Sequence, residues 1–112
     1  MRSTVIAFSS NGMGTAPQEL AITLITNYLK LLSEEEKVPQ TLIFYADGVK
    51  LVCTGSPVLD YLKIIQQKGS NLIICKTCLN FFELNDQQVV GQVGTMADIL
   101  TFQLEAKKVI SL

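Results

Sequence analysis

Short, unbroken apolar runs alternate along the chain with stretches in which apolar residues recur every three or four positions. Val5-Ile6-Ala7-Phe8, Thr41-Leu42-Ile43-Phe44-Tyr45-Ala46 and Leu72-Ile73-Ile74 are runs of the first kind, each bounded by turn residues. Such runs suit strands buried on both faces of a parallel sheet. After the first run, Ser9 to Gly14 forms a turn and a helix is expected to start near Thr15. Thr15 and Gln18 fit a capping box, and Pro17 falls in the first turn. Leu20, Leu24, Ile25, Tyr28, Leu29 and Leu32 form its stripe, and Ile22 and Leu31 widen it beyond one face.

The second half repeats the alternation. Ser56-Pro57 reads as a helix cap followed by a first helical position, with Val58, Leu62 and Ile65 pointing inward and Lys68-Gly69 as the stop. Leu79 to Leu84 reads as a short helix. Val89-Val90 and Gln92-Val93 read as a fourth strand, interrupted by Gly91. Thr95 with Asp98 caps a last helix through Ile99, Leu100 and Phe102, and Val109-Ile110 makes a final strand. Five strands and four helical segments in alternation predict an α/β domain with a mainly parallel sheet. Reaction sites in such folds lie at the carboxyl ends of the strands, so loops 9–14, 47–56 and 75–78 draw attention.

Composition narrows the picture. The 112 residues suit one domain spanning residues 1–112, and they are 48% hydrophobic but only 17% charged. That apolar excess is expected either to fill the buried sheet or to cover a subunit contact. The net charge of -1 and the lack of a basic stripe argue against a nucleic-acid partner. No apolar run approaches the roughly 20 residues of a membrane span. The N-terminal residues carry no signal-peptide pattern, and three cysteines do not suit a secreted disulfide scaffold. A cytoplasmic protein with reduced thiols is the expectation.

The chain has no histidine and no tryptophan, so covalent chemistry falls to sulfur. Cys75-Lys76-Thr77-Cys78 is the central candidate. A strand end followed by a helix start offers free N–H groups and a favourable dipole, and Lys76 adds positive charge. A thiol there is expected to ionise more readily than usual, and the thiolate is the species that attacks disulfide or persulfide sulfur. Two small apolar side chains packed at the sheet edge are the bland alternative. A thioredoxin-like role fits poorly, because the motif follows the third strand. Zinc would need ligands beyond Cys75, Cys78 and Cys53, and no histidine completes a set. Neither a metal nor a cofactor is assigned. Gly12-Met13-Gly14 lacks the remaining features of a nucleotide loop, and its glycines suit a tight turn or an anion cradle shared with Thr77. Lys50, after the Asp47-Gly48 turn, is either a solvated lysine or a partner for a thiolate or anion.

These elements together resemble the DsrE/DsrF-like sulfur-relay superfamily. The similarity rests on Phe44-Tyr45 through Gly48-Val49-Lys50-Leu51, on Cys53-x-Gly55-Ser56-Pro57-Val58-Leu59, and on Cys75-x-x-Cys78-Leu79 with Leu84. Its nearest branch is the C-terminal domain of YedF-type proteins, described as sulfurtransferase-like and linked to selenium metabolism. The resemblance covers nearly the whole chain. It implies a three-layer α/β/α domain of strand order 4-3-2-1-5 and assembly into homo-oligomers, trimers or hexamers. It implies a sulfur or selenium carrier with Cys75 as the persulfide-forming thiol and Lys50 and Cys53 close by; with the residues' own chemistry added, Lys50 is expected to stabilise the anion, Cys78 to act as resolving or second carrier thiol, and Cys53 as an auxiliary. YedF-type proteins also carry a TusA-like domain with a Cys-Pro motif. These 112 residues do not include one, so a separate TusA-like protein is the implied persulfide donor or acceptor. Related relay proteins of the TusD kind have one cysteine where this chain has two, and a neighbouring thiol can expel the bound sulfur as sulfide. The alternatives are a small-molecule or partner-binding module with structural cysteines, and a zinc-holding oligomer.

Overall fold

Five strands pair in parallel throughout, in the order β4-β3-β2-β1-β5. They are β1 (Thr4–Phe8), β2 (Thr41–Phe44), β3 (Asn71–Cys75), β4 (Gln92–Gly94) and β5 (Lys108–Ser111). The computed structural model describes residues 3–112. The three central strands are the unbroken apolar runs of the sequence. Every residue of β1 and β2 is buried, as is all of β3 beyond Asn71. This is the expected behaviour of parallel strands covered on both faces.

Helices α1 (Gln18–Glu34), α2 (Leu59–Gln67), α3 (Lys76–Phe81) and α4 (Met96–Glu105) complete the α/β fold. From β1 to β4 the chain steps across the sheet in one direction, and α1 and α2 pack together on one face. The β4-to-β5 crossover reverses that direction, so a right-handed connection sets α4 against β3 and β4 on the opposite face. The three-layer α/β/α arrangement and its strand order agree with the expectation.

The local readings hold unevenly. The Thr95–Asp98 capping box on α4 is formed in full: Thr95 Oγ1 accepts from the Asp98 N–H, and Asp98 Oδ2 accepts from the Thr95 N–H at 2.9 Å. The box expected at Thr15 and Gln18 is absent. α1 starts at Gln18 behind Pro17, and the Gln18 side chain instead donates to the Asn11 carbonyl at 2.8 Å. The buried face of α1 is Ala21, Ile25, Leu29 and Leu32, whereas Leu20, Leu24 and Leu31 are exposed. Pro17 stands just outside α1, not within its first turn. α2 begins three residues after Ser56. There the Ser56 hydroxyl accepts from the Val58 N–H in the preceding turn, and Pro57 lies outside the helix. The stop at Lys68-Gly69 stands, with Gly69 at φ 113°, and the Lys68 ammonium donates to the Ser33 and Glu35 carbonyls at the end of α1.

Loop 47–56 holds a structure that the pattern did not reveal. β2 ends at Phe44, and Ala46–Val52 is a short 3-10 helix that buries Val49, Leu51 and Val52. Gly48 locks it to the sheet: a Cβ there would stand 2.1 Å from the Phe8 carbonyl oxygen. The Tyr45 N–H donates to that same carbonyl at 3.1 Å. Phe8 and Phe44 stack beneath it with centroids 4.8 Å apart. The carboxyl edge of the central strands is thus a rigid shelf on which the candidate residues stand.

Candidate active site

Cys75 is the last residue of β3 and also the residue that caps α3. The helix therefore runs Lys76–Phe81 and starts earlier than the Leu79–Leu84 reading. Cys78 is its third residue. In that relationship the first and last side chains of the motif stand over the same opening turn, and the Cys75 side chain helps to push the Cys78 thiol up. Thr77 is exposed in the same turn.

The two sulfurs have different surroundings. Cys75 is 1% exposed and belongs to the central core, whereas Cys78 is half-buried. The thiol expected to carry sulfur is thus the one that solvent does not reach. The cause is the strand: the parallel sheet covers β3 on both faces through its final residue. Cys78, one turn into the helix, rises to the surface.

A second element meets Cys78. The Ala46 N–H, at the start of the 3-10 helix, donates to Cys78 Sγ at 3.1 Å. Ala46 has φ 51°, in the left-handed region that a residue with a Cβ seldom occupies. Burial pushes the Cys78 thiol up from its ordinary value, with the Cys75 side chain adding to the rise and the Ala46 N–H opposing it. The expected ease of ionisation is therefore reversed at Cys78: partial desolvation outweighs the one amide that faces the sulfur.

Cys53 lies apart from this pair. It is buried behind the 3-10 helix, its thiol donates to the Val49 carbonyl at 3.2 Å, and burial raises its pKa. Lys50 is engaged as well. Its ammonium pairs with Asp47 at 2.9 Å and stands 4.5 Å above the Phe82 ring, and among the described residues it makes no hydrogen bond to a thiol. No group of three or more His, Cys, Asp or Glu side chains converges in a metal-holding arrangement among the described residues.

Lys50 instead joins two adjoining cavities. One, about 370 Å³, is lined by Ser10, Asn11, Gly14, Gln18, Asp47 and Lys50. The other, about 460 Å³, adds Cys53, Ser56 and Leu84 and shares Asn11, Gln18 and Lys50 with the first. Gly14, at φ 76°, contributes to the first wall. Gly12 has a packing role: its Cβ would stand 2.7 Å from that of Ala21, and the adjacent Met13 N–H donates to the Ala21 carbonyl. The groove therefore unites Gly14, Lys50 and Cys53, while Cys75, Cys78 and Thr77 form a second cluster beside it.

The sequence model of the DsrE/DsrF-like family matches residues 4–112. The chain belongs to the DsrE/DsrF-like family. That membership relates this DsrE-like protein in general terms to sulfur relay. Solved structures agree in fold. The YchN protein from E. coli is 19% identical with a TM-score of 0.64, each chain covered in full. Protein MTH1491 of Methanobacterium thermoautotrophicum, described as of unknown function, is 18% identical with a TM-score of 0.67 over 97% of both chains. Protein BT1422 of Bacteroides thetaiotaomicron, likewise of unknown function, is 16% identical with a TM-score of 0.64, over 98% of this chain and 95% of its own. No curated protein matches the chain.

Two features of this DsrE-like site escaped the sequence reading. Ala46 gave no signal, because alanine does not announce a left-handed conformation. Phe81, three residues after Cys78, is 81% exposed and meets Phe82 edge to face with centroids 5.2 Å apart. The tandem Phe81-Phe82 was the available clue, since adjacent residues of a helix point in different directions and cannot both enter the core. No helix among the described residues is long and apolar enough to cross a membrane.

Proposed function

We propose that this protein is a sulfur carrier of sulfurtransferase type that takes up sulfane sulfur, or its selenium counterpart, as a persulfide on Cys78. The observation that carries the reading is the asymmetry of the thiol pair. Cys78 is reachable from outside and has an N–H directed at its sulfur, while Cys75 lies behind it in the core. A donor persulfide, R–S–SH, offers its outer sulfur; the Cys78 thiolate attacks it, giving Cys78–S–SH and releasing R–SH. The Ala46 N–H stabilises the thiolate before attack. Transfer onward to an acceptor thiol is the same step in reverse.

The roles expected of the remaining residues shift accordingly. Cys75 becomes the inner thiol and Cys53 a structural one. Lys50, with Asp47 and the Gly14 loop, forms a polar groove suited to a polar portion of the donor. The nearer relation to YedF-type domains, and a TusA-like protein as donor or acceptor, belong to this proposal. So do a cytoplasmic setting and a homo-oligomer. For the last, Met96, Leu100 and Leu104 form an exposed apolar stripe on α4 at spacings of four, the kind of face that a subunit contact would cover.

The test is intact-mass measurement after brief exposure of the reduced chain to a low-molecular-weight persulfide and rapid alkylation. A sulfur-mass adduct on the native chain that is missing from Cys78→Ser supports the proposal. Equal adducts on both chains, or a native chain with neither a sulfur adduct nor a Cys75–Cys78 disulfide, would remove it.

A further inference from the structure

The bound sulfur has a second exit besides an acceptor protein, built from the buried partner thiol. We propose that Cys75 resolves the Cys78 persulfide within the same chain, releasing the sulfur as hydrogen sulfide and leaving a Cys75–Cys78 disulfide. This rests on the persulfide reading above. It adds an activity, the reduction of sulfane sulfur to sulfide, with an external thiol as the reductant that resets the pair.

Geometry comes first. Cys75 holds the position before α3 without a side-chain cap hydrogen bond and Cys78 is the third residue, the spacing that Thr95 and Asp98 have at α4. In α4 this spacing brings the two side-chain tips, Thr95 Oγ1 and Asp98 Oδ2, to 3.1 Å. In α3 the same spacing sets Cys75 and Cys78 over one opening turn. A disulfide needs Cβ atoms about 3.5 to 4.5 Å apart. Side chains placed over one helical turn reach that spacing with rotation about χ1 and little backbone movement.

Access comes second. An external persulfide reaches Cys78, but Cys75, at 1% exposure, meets only what its own chain presents. Its one neighbouring electrophile is a sulfur placed on Cys78. A reaction held within one chain in this way gains the advantage of proximity, with effective molarities that reach about 10⁵ M or more in well-aligned cases. The inner thiol therefore competes with any acceptor in solution. It loses only to one that docks over Cys78.

The step balances. The Cys75 thiol gives up its proton and its sulfur attacks Cys78 Sγ. The Cys75–Cys78 S–S bond forms as the bond from Cys78 Sγ to the outer sulfur breaks. The outer sulfur leaves with the bonding electron pair as HS⁻ and takes up the released proton as H₂S. The outer sulfur is reduced and the two thiols are oxidised to the disulfide. Two equivalents of an external thiol restore the pair and leave as their own disulfide.

The experiment loads the reduced native chain, Cys75→Ala and Cys75→Ser with a low-molecular-weight persulfide and then removes the donor. Released sulfide and intact mass are followed over time. The alanine variant keeps a small apolar side chain in the core, so a folding defect in the serine variant does not compromise the result. The native chain should release its sulfur as sulfide and end lighter by two hydrogens, with Cys75 linked to Cys78 in peptide maps. The Cys75 variants should hold the persulfide at least about tenfold longer. Persulfides of equal lifetime on native and Cys75→Ala chains would overturn this inference and leave the carrier reading standing. No sulfur uptake by any of the three chains would overturn the carrier reading itself, and this inference with it.

Discussion

Ala46 and Cys78, 32 residues apart in sequence, meet through a hydrogen bond from the Ala46 N–H to Cys78 Sγ at 3.1 Å. This contact ties the loop after β2 to the helix after β3. Ala46 reaches it at φ 51°, a conformation that costs a non-glycine residue roughly 1 kcal/mol. The local strain coincides with the one accessible thiol.

That arrangement fixes the order in which the cysteines react. Cys78 should be alkylated by iodoacetamide well before Cys53 or Cys75 in the folded chain. Because burial and the Cys75 side chain push its thiol up, the Cys78 rate should be slow at neutral pH. It should climb about tenfold per pH unit and still be rising past about pH 8.5, the ordinary thiol value. Site-resolved peptide mapping at a series of pH values from neutral to alkaline checks this. A plateau already reached at neutral pH would contradict it.

The same shifts have a sign for stability. Cys53 and Cys78 both have raised pKa values in the folded chain, so the folded state holds its thiol protons more firmly than the unfolded state. The associated stability is fully present below the unfolded thiol value near about 8.5, and it falls as pH rises through the folded values. Urea midpoints should therefore drop above that pH. The drop should be smaller in a Cys53→Ala, Cys78→Ala variant measured over the same range.

Gly48→Ala tests the shelf beneath the site. Its Cβ would stand 2.1 Å from the backbone oxygen of Phe8, so the 3-10 helix must move off the sheet. The expected loss is about 3 kcal/mol, at the upper end for overpacking, because backbone and not a flexible side chain is in the way. Urea unfolding reads the loss. Cys78 alkylation should change as well, because Ala46 would lose its position.

The α4 stripe bears on assembly. Leu100→Lys with Leu104→Glu places two charges on the exposed apolar face without touching the buried Ile99. If that face joins copies of the chain, light scattering should show the native oligomer reduced to a lower-mass species that keeps its circular dichroism. An unchanged mass would separate the stripe from assembly.

Much of the fold was legible because the parallel sheet leaves a strong trace. Ile6, Ile43 and Ile73 sit in apolar runs with no exposed face to interrupt them, and Thr95–Asp98 is a cap whose chemistry is local. The misread starts of α1 and α2 have different causes. Gln18 reaches back to the Asn11 carbonyl in the preceding loop, whereas Ser56 closes a local turn by accepting from the Val58 N–H just before α2.

The thiols of the candidate site were visible in the sequence, but their burial was not. Cys75 and Cys78 look alike in sequence. Only the depth of β3 in the sheet separates an inner thiol from an outer one. Lys50 looked free to meet a thiolate, but Asp47, one helical turn before it, holds the ammonium.

The most direct measurement takes two variants that each keep a single thiol of the pair, Cys53→Ala with Cys75→Ala and Cys53→Ala with Cys78→Ala. Each is exposed to a low-molecular-weight persulfide and weighed intact. The chain that retains Cys78 should gain the mass of one sulfur atom, and the chain that retains Cys75 should gain none. Sulfur on the Cys75 chain and not on the Cys78 chain would contradict the account.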